Sequence, residues 1–155
     1  MTESTAAKQQ APPNLAALPE ERLRGITFSF PTGIPGFPLA REFVFEPVEG
    51  LSPFMRMVCL NQDNLAFIVV PPGRFFPDYT IEVAEADAER LGLKRPEDAV
   101  VLVVVTARKG EEPTANLLGP LVLNPALGRG AQVVQHQSNF DARTPIRPTA
   151  PVARA

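Results

Sequence analysis

The feature that most constrains the fold is an uninterrupted aliphatic run at residues 100–105, Val-Val-Leu-Val-Val-Val. A short run with no polar position on either face is typical of a strand buried on both faces. A helix is disfavoured because the branched Cβ of valine loses rotamer freedom in a helix and fits the pleat of a sheet. The run therefore predicts a central strand.

The residues after this strand predict its hairpin partner. Residues 108–113 are a charged segment that contains Gly110 and ends at Pro113, two residue types that favour a turn. Residues 114–124 then return as the neighbouring strand, kinked or bulged at Gly119 and Pro120. The two strands form the predicted core hairpin.

Asn116 and Asn124 are the polar exceptions in this hairpin. A buried amide must find partners, since an unmet donor or acceptor costs about 1–3 kcal/mol. One interpretation is that both amides join loop backbone to the sheet, as buried polar groups usually do. The other is that one of them is displayed to a partner.

Length and charge narrow the class of protein. A chain of 155 residues is long enough for one domain with its own core. The net charge of −2 and the pI of about 5.5 argue against a nucleic-acid-binding protein, which carries a basic surface. Cys59, the single cysteine, excludes an internal disulfide and fits a reducing compartment. No apolar run is long enough to cross a bilayer and residues 1–10 are polar, which predicts a cytoplasmic protein without membrane contact.

Further strands are predicted where short apolar segments alternate with polar residues between turns. They cover residues 26–30, 42–46, 55–60, 65–70, 80–83 and 131–136. One short helix is predicted over residues 87–93, with acidic residues at its start and Gly92 near its end. The predicted fold class is mainly β: an antiparallel β-sandwich or a small closed β-barrel with one short helix.

Composition divides the chain into three parts. Residues 1–23 lack hydrophobic periodicity and are predicted to be a flexible N-terminal extension. Residues 24–140 are predicted to form the β domain. Residues 141–155, rich in Pro, Arg and Ala, are predicted to be a flexible C-terminal tail.

Few residues are suited to catalysis. A zinc site needs three or four Cys or His ligands at short spacing, and this chain has one of each, Cys59 and His136. Cys59 lies between two aliphatic residues and is interpreted as a core thiol, while a Cys59–His136 nucleophile pair is the enzymatic alternative. We therefore expect no metal, no cofactor and no enzymatic activity. A β domain that binds another protein is favoured, and its acidic charge would steer it toward a basic partner.

The loop at residues 31–38 contains two glycines and three prolines, which require a specific backbone path. Its apolar residues, Ile34 and Phe37, either tuck under the loop or are shown to a partner. The sequence leaves both alternatives open.

Four blocks of residues carry a resemblance to a known family. In chain order they are Phe28-x-Phe30-x-x-Gly33-Ile34-Pro35-Gly36-Phe37; Phe67 with Pro72 and Phe76-Pro77-Asp78-Tyr79; Thr114-Ala115-Asn116-Leu117-x-x-Pro120-x-Val122-x-Asn124; and Gly130-x-Gln132-Val133. By these blocks the chain resembles FliW, the bacterial flagellar assembly factor, over about residues 26–146. It departs from the family pattern at Leu60-Asn61-Gln62, where the family usually has Leu-Gln-Ser.

The resemblance implies a small β-barrel-like protein that acts as a partner switch. FliW-like proteins bind flagellin in the cytoplasm, and they also bind CsrA, the dimeric RNA-binding repressor of flagellin translation. When secretion depletes flagellin, the freed protein binds CsrA and lifts the repression. The implied partners of this chain are flagellin and CsrA, with no direct nucleic-acid binding, and a monomer is expected when the protein is unbound. The alternative is a flagellin-binding chaperone without CsrA regulation.

Partner contacts are expected in the upstream loop and at a second group of residues. The predicted partner-binding residues are Gly33, Ile34, Pro35, Gly36, Phe37, Asp78, Tyr79 and Asn116. Loops carry function more often than strands do, which favours the first five. Each residue also has a structural interpretation: turn geometry for the glycines, a core position for the tyrosine and a buried staple for Asn116.

Overall fold

The computed structural model describes residues 9–10, 19–136 and 140–146. Its strands are β1 (Gln9–Gln10), β2 (Phe28–Ser29), β3 (Glu42–Pro47), β4 (Met55–Cys59), β5 (Ala66–Val70), β6 (Thr80–Ile81), β7 (Val100–Thr106), β8 (Thr114–Ala115), β9 (Leu121–Asn124), β10 (Arg129–Gln132) and β11 (Thr144–Pro145). The α-helices are α1 (Pro19–Leu23) and α2 (Glu85–Leu91), and short 3-10 helices span Pro72–Arg74 and Pro96–Asp98.

The aliphatic run forms β7, the central strand that it predicts. β7 pairs with β5 on one side, and its other side is shared between β8 and β9. The predicted hairpin is therefore confirmed, but its return arm is two strands instead of one. The arm breaks because the Asn116 side chain accepts hydrogen bonds from the backbone N–H groups of Leu118 and Gly119, and Pro120 has no N–H to donate.

Seven strands close into a barrel in the order β7-β5-β4-β3-β2-β10-β9, and β9 pairs back onto β7. Every pair in the ring is antiparallel except β10–β2, which is parallel at Arg129 and Ser29. Closure leaves no open edge in the ring. β8 and β11 extend the sheet outside the ring, and β1 pairs with β6 in a separate small sheet. Of the two predicted architectures, the closed barrel is confirmed.

The barrel wall is apolar on both faces over part of its circumference. The interior cluster fills the barrel and consists of Leu23, Phe28, Phe30, Ile34, Ala40, Phe43, Phe45, Met55, Met57, Cys59, Val69, Val100, Leu102, Leu121 and Leu123. The outer cluster lies against the outside of the wall and consists of Val70, Tyr79, Ile81, Val83, Ala88, Leu91, Leu93, Ala99, Val101, Val103, Val105, Ala115, Leu117, Val122, Ala131, Val133 and Ile146. Alternate β7 residues therefore enter different clusters, which explains why the strand needs no polar face.

The predicted helix is confirmed as α2, two residues earlier than its predicted bounds. It ends at Gly92, whose left-handed backbone (φ 73°) glycine adopts without strain. Its last carbonyls are met from outside the helix, because Asn124 Nδ2 donates to Leu91 O at 2.8 Å and to Gly92 O at 3.3 Å. The interpretation that Asn124 joins loop backbone to the sheet is therefore confirmed.

The predicted last strand over residues 131–136 is only partly right. β10 begins two residues earlier and ends at Gln132. Beyond it, Val133 N donates to Pro120 O and Gln135 N donates to Leu118 O, so the chain follows the kinked segment between β8 and β9. A kinked neighbour cannot offer the regular ladder that a strand needs. Buried Gln135 instead holds Glu82, the residue after β6, since its amide bonds to both the N–H and the carbonyl of Glu82.

Described residues on both sides of the predicted domain limits, 24 and 140, pack against the barrel. Leu23 is fully buried in the interior cluster, and the Arg22 guanidinium donates to Glu97 O and Ala99 O. At the other end β11 pairs with β8, and Ile146 is buried in the outer cluster. Most of the predicted extension and tail, residues 1–8, 11–18 and 147–155, lies outside the described residues.

Candidate protein-interaction surface

The loop that follows β2 has a backbone path that only its glycines allow. Gly33 N donates to Phe30 O at 2.8 Å, and Gly33 has a left-handed backbone (φ 71°). A Cβ at this position would lie 2.5 Å from Pro38 O, so any other residue would displace the backbone. Ile34 and Phe37 then exchange backbone hydrogen bonds of 3.2 and 2.6 Å, which closes a tight turn over the residues between them.

The two apolar residues of this turn have different fates. Ile34 is buried and belongs to the interior cluster. Phe37 is 40% exposed, and its ring packs edge-on against Phe67 with the ring centres 5.6 Å apart. The turn therefore anchors one side chain in the barrel and leaves the other partly exposed to solvent, so the tucked alternative holds for Ile34.

Asn61, a residue that sequence reasoning gave no role, holds the far end of this loop. Its Oδ1 accepts hydrogen bonds from Arg41 N (3.0 Å) and Glu42 N (3.2 Å), and its Nδ2 donates to Leu39 O (2.7 Å). Leu39 and Leu60 are both exposed beside it. Asn61 is one of the positions where the chain departs from the family pattern, and that departure is the one signal in the sequence that marks it.

Tyr79 and Asn116 lie together at a different place. The Tyr79 hydroxyl donates to Leu117 O at 2.7 Å, and its ring packs against Phe140 with the centres 4.7 Å apart. Tyr79 is buried, and burial raises the pKa of its hydroxyl above the usual tyrosine value. Asn116 uses its side-chain oxygen in the turn to Gly119. Both side chains therefore form hydrogen bonds within the protein, and of the three predicted contact residues Asp78, Tyr79 and Asn116, Asp78 is the exposed one.

The helix α2 presents less negative charge than its sequence implies. Asp87 forms an ion pair with Arg90, while Glu85 and Glu89 are exposed. A cleft of about 350 Å³ lies near the end of this helix and is lined in part by Arg90 and Arg129. Arg129 donates to the Arg90 carbonyl at 3.2 Å, so its guanidinium also caps the negative end of the helix dipole.

The two residues considered for catalysis, Cys59 and His136, differ in burial. Cys59 is buried in the interior cluster, and its Sγ lies 3.2 Å from Asn61 Oδ1. His136 is exposed after the end of β10. Within the described ranges, no group of three or more His, Cys, Asp or Glu side chains is placed to hold a metal ion. Nor does any helix in the described part of the chain have the length and apolar character needed to span a bilayer.

The fold defines the class: a small closed β-barrel, which here exposes the apolar side chain of Phe37 on the loop after β2. The family model described as "FliW protein" matches residues 17–146, which span the chain from α1 to β11. The chain therefore belongs to the FliW family, as its sequence blocks indicate.

Individual relatives agree with this assignment. The flagellar assembly factor FliW of Bacillus subtilis (strain 168) is 39% identical over 118 residues, which cover 76% of this chain and 82% of that protein. The protein of the same name from Natranaerobius thermophilus is 34% identical over 120 residues, covering 76% and 80% of the two chains. A crystal structure of the flagellar assembly factor FliW superposes with a TM-score of 0.74 at 26% identity, covering 90% of this chain and 96% of that one.

Proposed function

We propose that this protein is a cytoplasmic flagellar assembly factor that binds flagellin and antagonises the translational repressor CsrA. The observation that carries the proposal is the family match, which spans every element of the barrel and its covering segments. The relatives with that match are named flagellar assembly factors. In this role the protein works by binding and performs no catalysis.

The loop of residues 33–37 is the contact that we assign to a partner. Phe37 is a large apolar side chain that packs against Phe67, on a turn whose partner Ile34 is anchored in the barrel. A pre-positioned aromatic side chain loses little conformational freedom on binding, which favours affinity. Asp78 is an exposed second contact, while Tyr79 and Asn116 support the surface from within.

A switch between two partners requires that the bound states influence each other. The coupling is reciprocal: flagellin must weaken CsrA binding by the same factor by which CsrA weakens flagellin binding. Each interface of ordinary size covers about 800 Å² of this protein. On a barrel this small, two such footprints readily overlap or share an element.

Calorimetric titration with CsrA from the same organism, repeated after saturation with flagellin, tests the proposal. CsrA binding that is lost in the presence of flagellin supports the switch. Binding that is unchanged means independent sites and contradicts it. Flagellin binding without CsrA binding favours the chaperone alternative, and binding to neither partner overturns the proposal.

The loop assignment has its own test in the same titrations. Phe37→Ala removes the exposed ring, and Val134→Ala is the matched control because Val134 is similarly exposed elsewhere on the chain. We expect Phe37→Ala to weaken one partner by about tenfold or more, as truncation of an aromatic anchor does, and the control to bind like the wild type. Equal binding by both variants would contradict the assignment.

A further inference from the structure

Outward-facing aliphatic residues occur on two parts of the barrel wall. On β7, β9 and β10 they are covered by the chain itself: Val101, Val103, Val122 and Ala131 pack in the outer cluster together with Leu91 of α2. On these three strands the outward-facing aliphatic residues lie where another segment of the chain covers the wall.

On β3, β4 and β5 the same kind of residue points outward without a cover. The strand register places Val44, Val58 and Ala66 in one row across the three strands. Ile68 lies in the next row, and Leu60 continues β4 beside Glu42. We call these five residues, Val44, Val58, Leu60, Ala66 and Ile68, the outer patch.

Leu60, Ala66 and Ile68 of the outer patch are exposed, whereas Val44 and Val58 are half-buried. Leu60 is 51% exposed and Ile68 is 38% exposed, and none of the five residues belongs to either buried cluster. Leu39 extends the patch at one end, because its carbonyl accepts the hydrogen bond from Asn61, the residue after Leu60. The solvated face of an antiparallel sheet is normally polar, and a contiguous exposed apolar surface marks an interaction site.

The charges that border the outer patch indicate the chemistry of its partner. The outward positions beside it hold two carboxylates, Glu42 and Glu46, against one guanidinium, Arg56. Arg56 lies 3.9 Å from Glu46, whereas no Lys or Arg in the described part of the chain forms an ion pair with Glu42. The exposed Arg41 next to Glu42 donates its Nε to Pro38 O, so Glu42 is the carboxylate beside the patch without an ion pair in the described part of the chain. A partner that carries a Lys or Arg would be attracted to it.

From these observations we infer that the outer patch docks a partner protein through an aliphatic segment that carries a Lys or Arg to meet Glu42. The partner covers β3–β5 in the way that α2 and its neighbours cover β7, β9 and β10. This inference deepens the proposed function and rests on it for its probes, CsrA and flagellin from the same organism. Phe37 is not one of the five patch residues, since its ring packs against Phe67.

The test measures binding of both probes to the wild type and to surface variants. Ile68→Lys and Leu60→Lys place a positive charge in the patch, and Glu42→Gln removes the unpaired carboxylate without changing side-chain size. Leu127→Lys is the matched control, since Leu127 is 52% exposed outside the patch. Urea unfolding of each variant identifies any that is destabilised.

We expect both lysine variants to weaken one probe by about tenfold or more, with Leu127→Lys unchanged. Glu42→Gln should slow association with the same probe and reduce its dependence on salt. If the wild type binds a probe and every patch variant binds it equally well, the docking inference is wrong and the proposed function stands. If the wild type binds neither probe, both fail.

Sedimentation of the wild type alone tests whether a second copy of this chain occupies the outer patch. A concentration-dependent dimer that Ile68→Lys or Leu60→Lys dissociates would assign the patch to a second copy and overturn the inferred partner. A monomer at all concentrations agrees with a partner of different sequence.

Discussion

Asn124→Ala should be among the most destabilising polar substitutions in the protein. The side chain is 2% exposed and makes three hydrogen bonds: Nδ2 donates to Leu91 O and Gly92 O, and Oδ1 accepts from Ala126 N. The Leu91 bond is buried, and an unmet buried carbonyl costs about 1–3 kcal/mol. The two part-buried bonds add about 0.5–1.5 kcal/mol each. Because water can enter the space that the amide leaves, we expect a total loss of about 2–4 kcal/mol.

Such a loss is large beside the roughly 5–15 kcal/mol by which domains of this kind are stable. It corresponds to a melting temperature lower by roughly 5–15 °C. Urea unfolding should show a lower midpoint with an unchanged m-value, since the surface exposed on unfolding stays the same. Gln62→Ala is the control, because Gln62 forms no side-chain hydrogen bond within the described residues, and it should change stability by less than about 0.5 kcal/mol.

Asn124→Asp tests the direction of the hydrogen bonds. It keeps the acceptor for Ala126 N but turns a carboxylate toward the carbonyls of Leu91 and Gly92. Those carbonyls and burial raise the pKa of the new carboxyl in the folded state, so the folded protein binds a proton that the unfolded chain releases. Stability relative to the wild type should therefore recover as the pH falls. A loss below about 0.5 kcal/mol for Asn124→Ala, or no pH dependence for Asn124→Asp, would refute the reasoning.

Three other expectations concern the barrel and its cover. Gly130→Ala should destabilise the protein by about 1–3 kcal/mol, since the new Cβ would lie 2.7 Å from Phe30 in the interior. Gly73→Ala is the control and should be tolerated, because its Cβ would have nothing within 4 Å. Equal urea midpoints for the two variants would contradict this packing. Tyr79→Phe should cost about 1–3 kcal/mol by leaving a buried carbonyl unmet. Burial raises the pKa of Tyr79 in the folded state, so the tyrosine of the unfolded chain ionises first. Wild-type stability should therefore fall above about pH 10, and Tyr79→Phe should lose that part of the alkaline dependence. Cys59 should react with a thiol reagent only slowly in the native state and fully in urea, and rapid native labelling would show that the interior opens.

Local chemistry explains which elements sequence reasoning predicted correctly. β7 follows from its valines, the β4–β5 hairpin from two apolar segments around a polar turn, and the end of α2 from Gly92. Each depends on residues that are neighbours in the chain, so periodicity and turn preference suffice. The strand predicted over residues 131–136 fails beyond Gln132 for the opposite reason, because the path of the chain there depends on a distant segment that is itself kinked.

The candidate site likewise has features that neighbouring residues predict and features that depend on distant contacts. The glycines and prolines predict the turn at residues 33–37. Whether Ile34 or Phe37 faces solvent depends on where Phe67 lies. The role of Asn61 depends on three backbone groups about twenty residues away in the chain, at Leu39, Arg41 and Glu42. No pattern in the local sequence encodes such contacts.

By itself the sequence determined that the chain is a β protein with a doubly buried central strand and a glycine-terminated helix, and its ordered residue blocks identified the family. Only the tertiary structure decided between sandwich and barrel, because closure depends on β9 returning to β7 and on the parallel contact of β10 with β2. The tertiary structure also decided which strands of the barrel wall are covered on their outer face by other segments of the chain. Alternation along a strand assigns two faces, but which face meets solvent depends on whether another segment packs there.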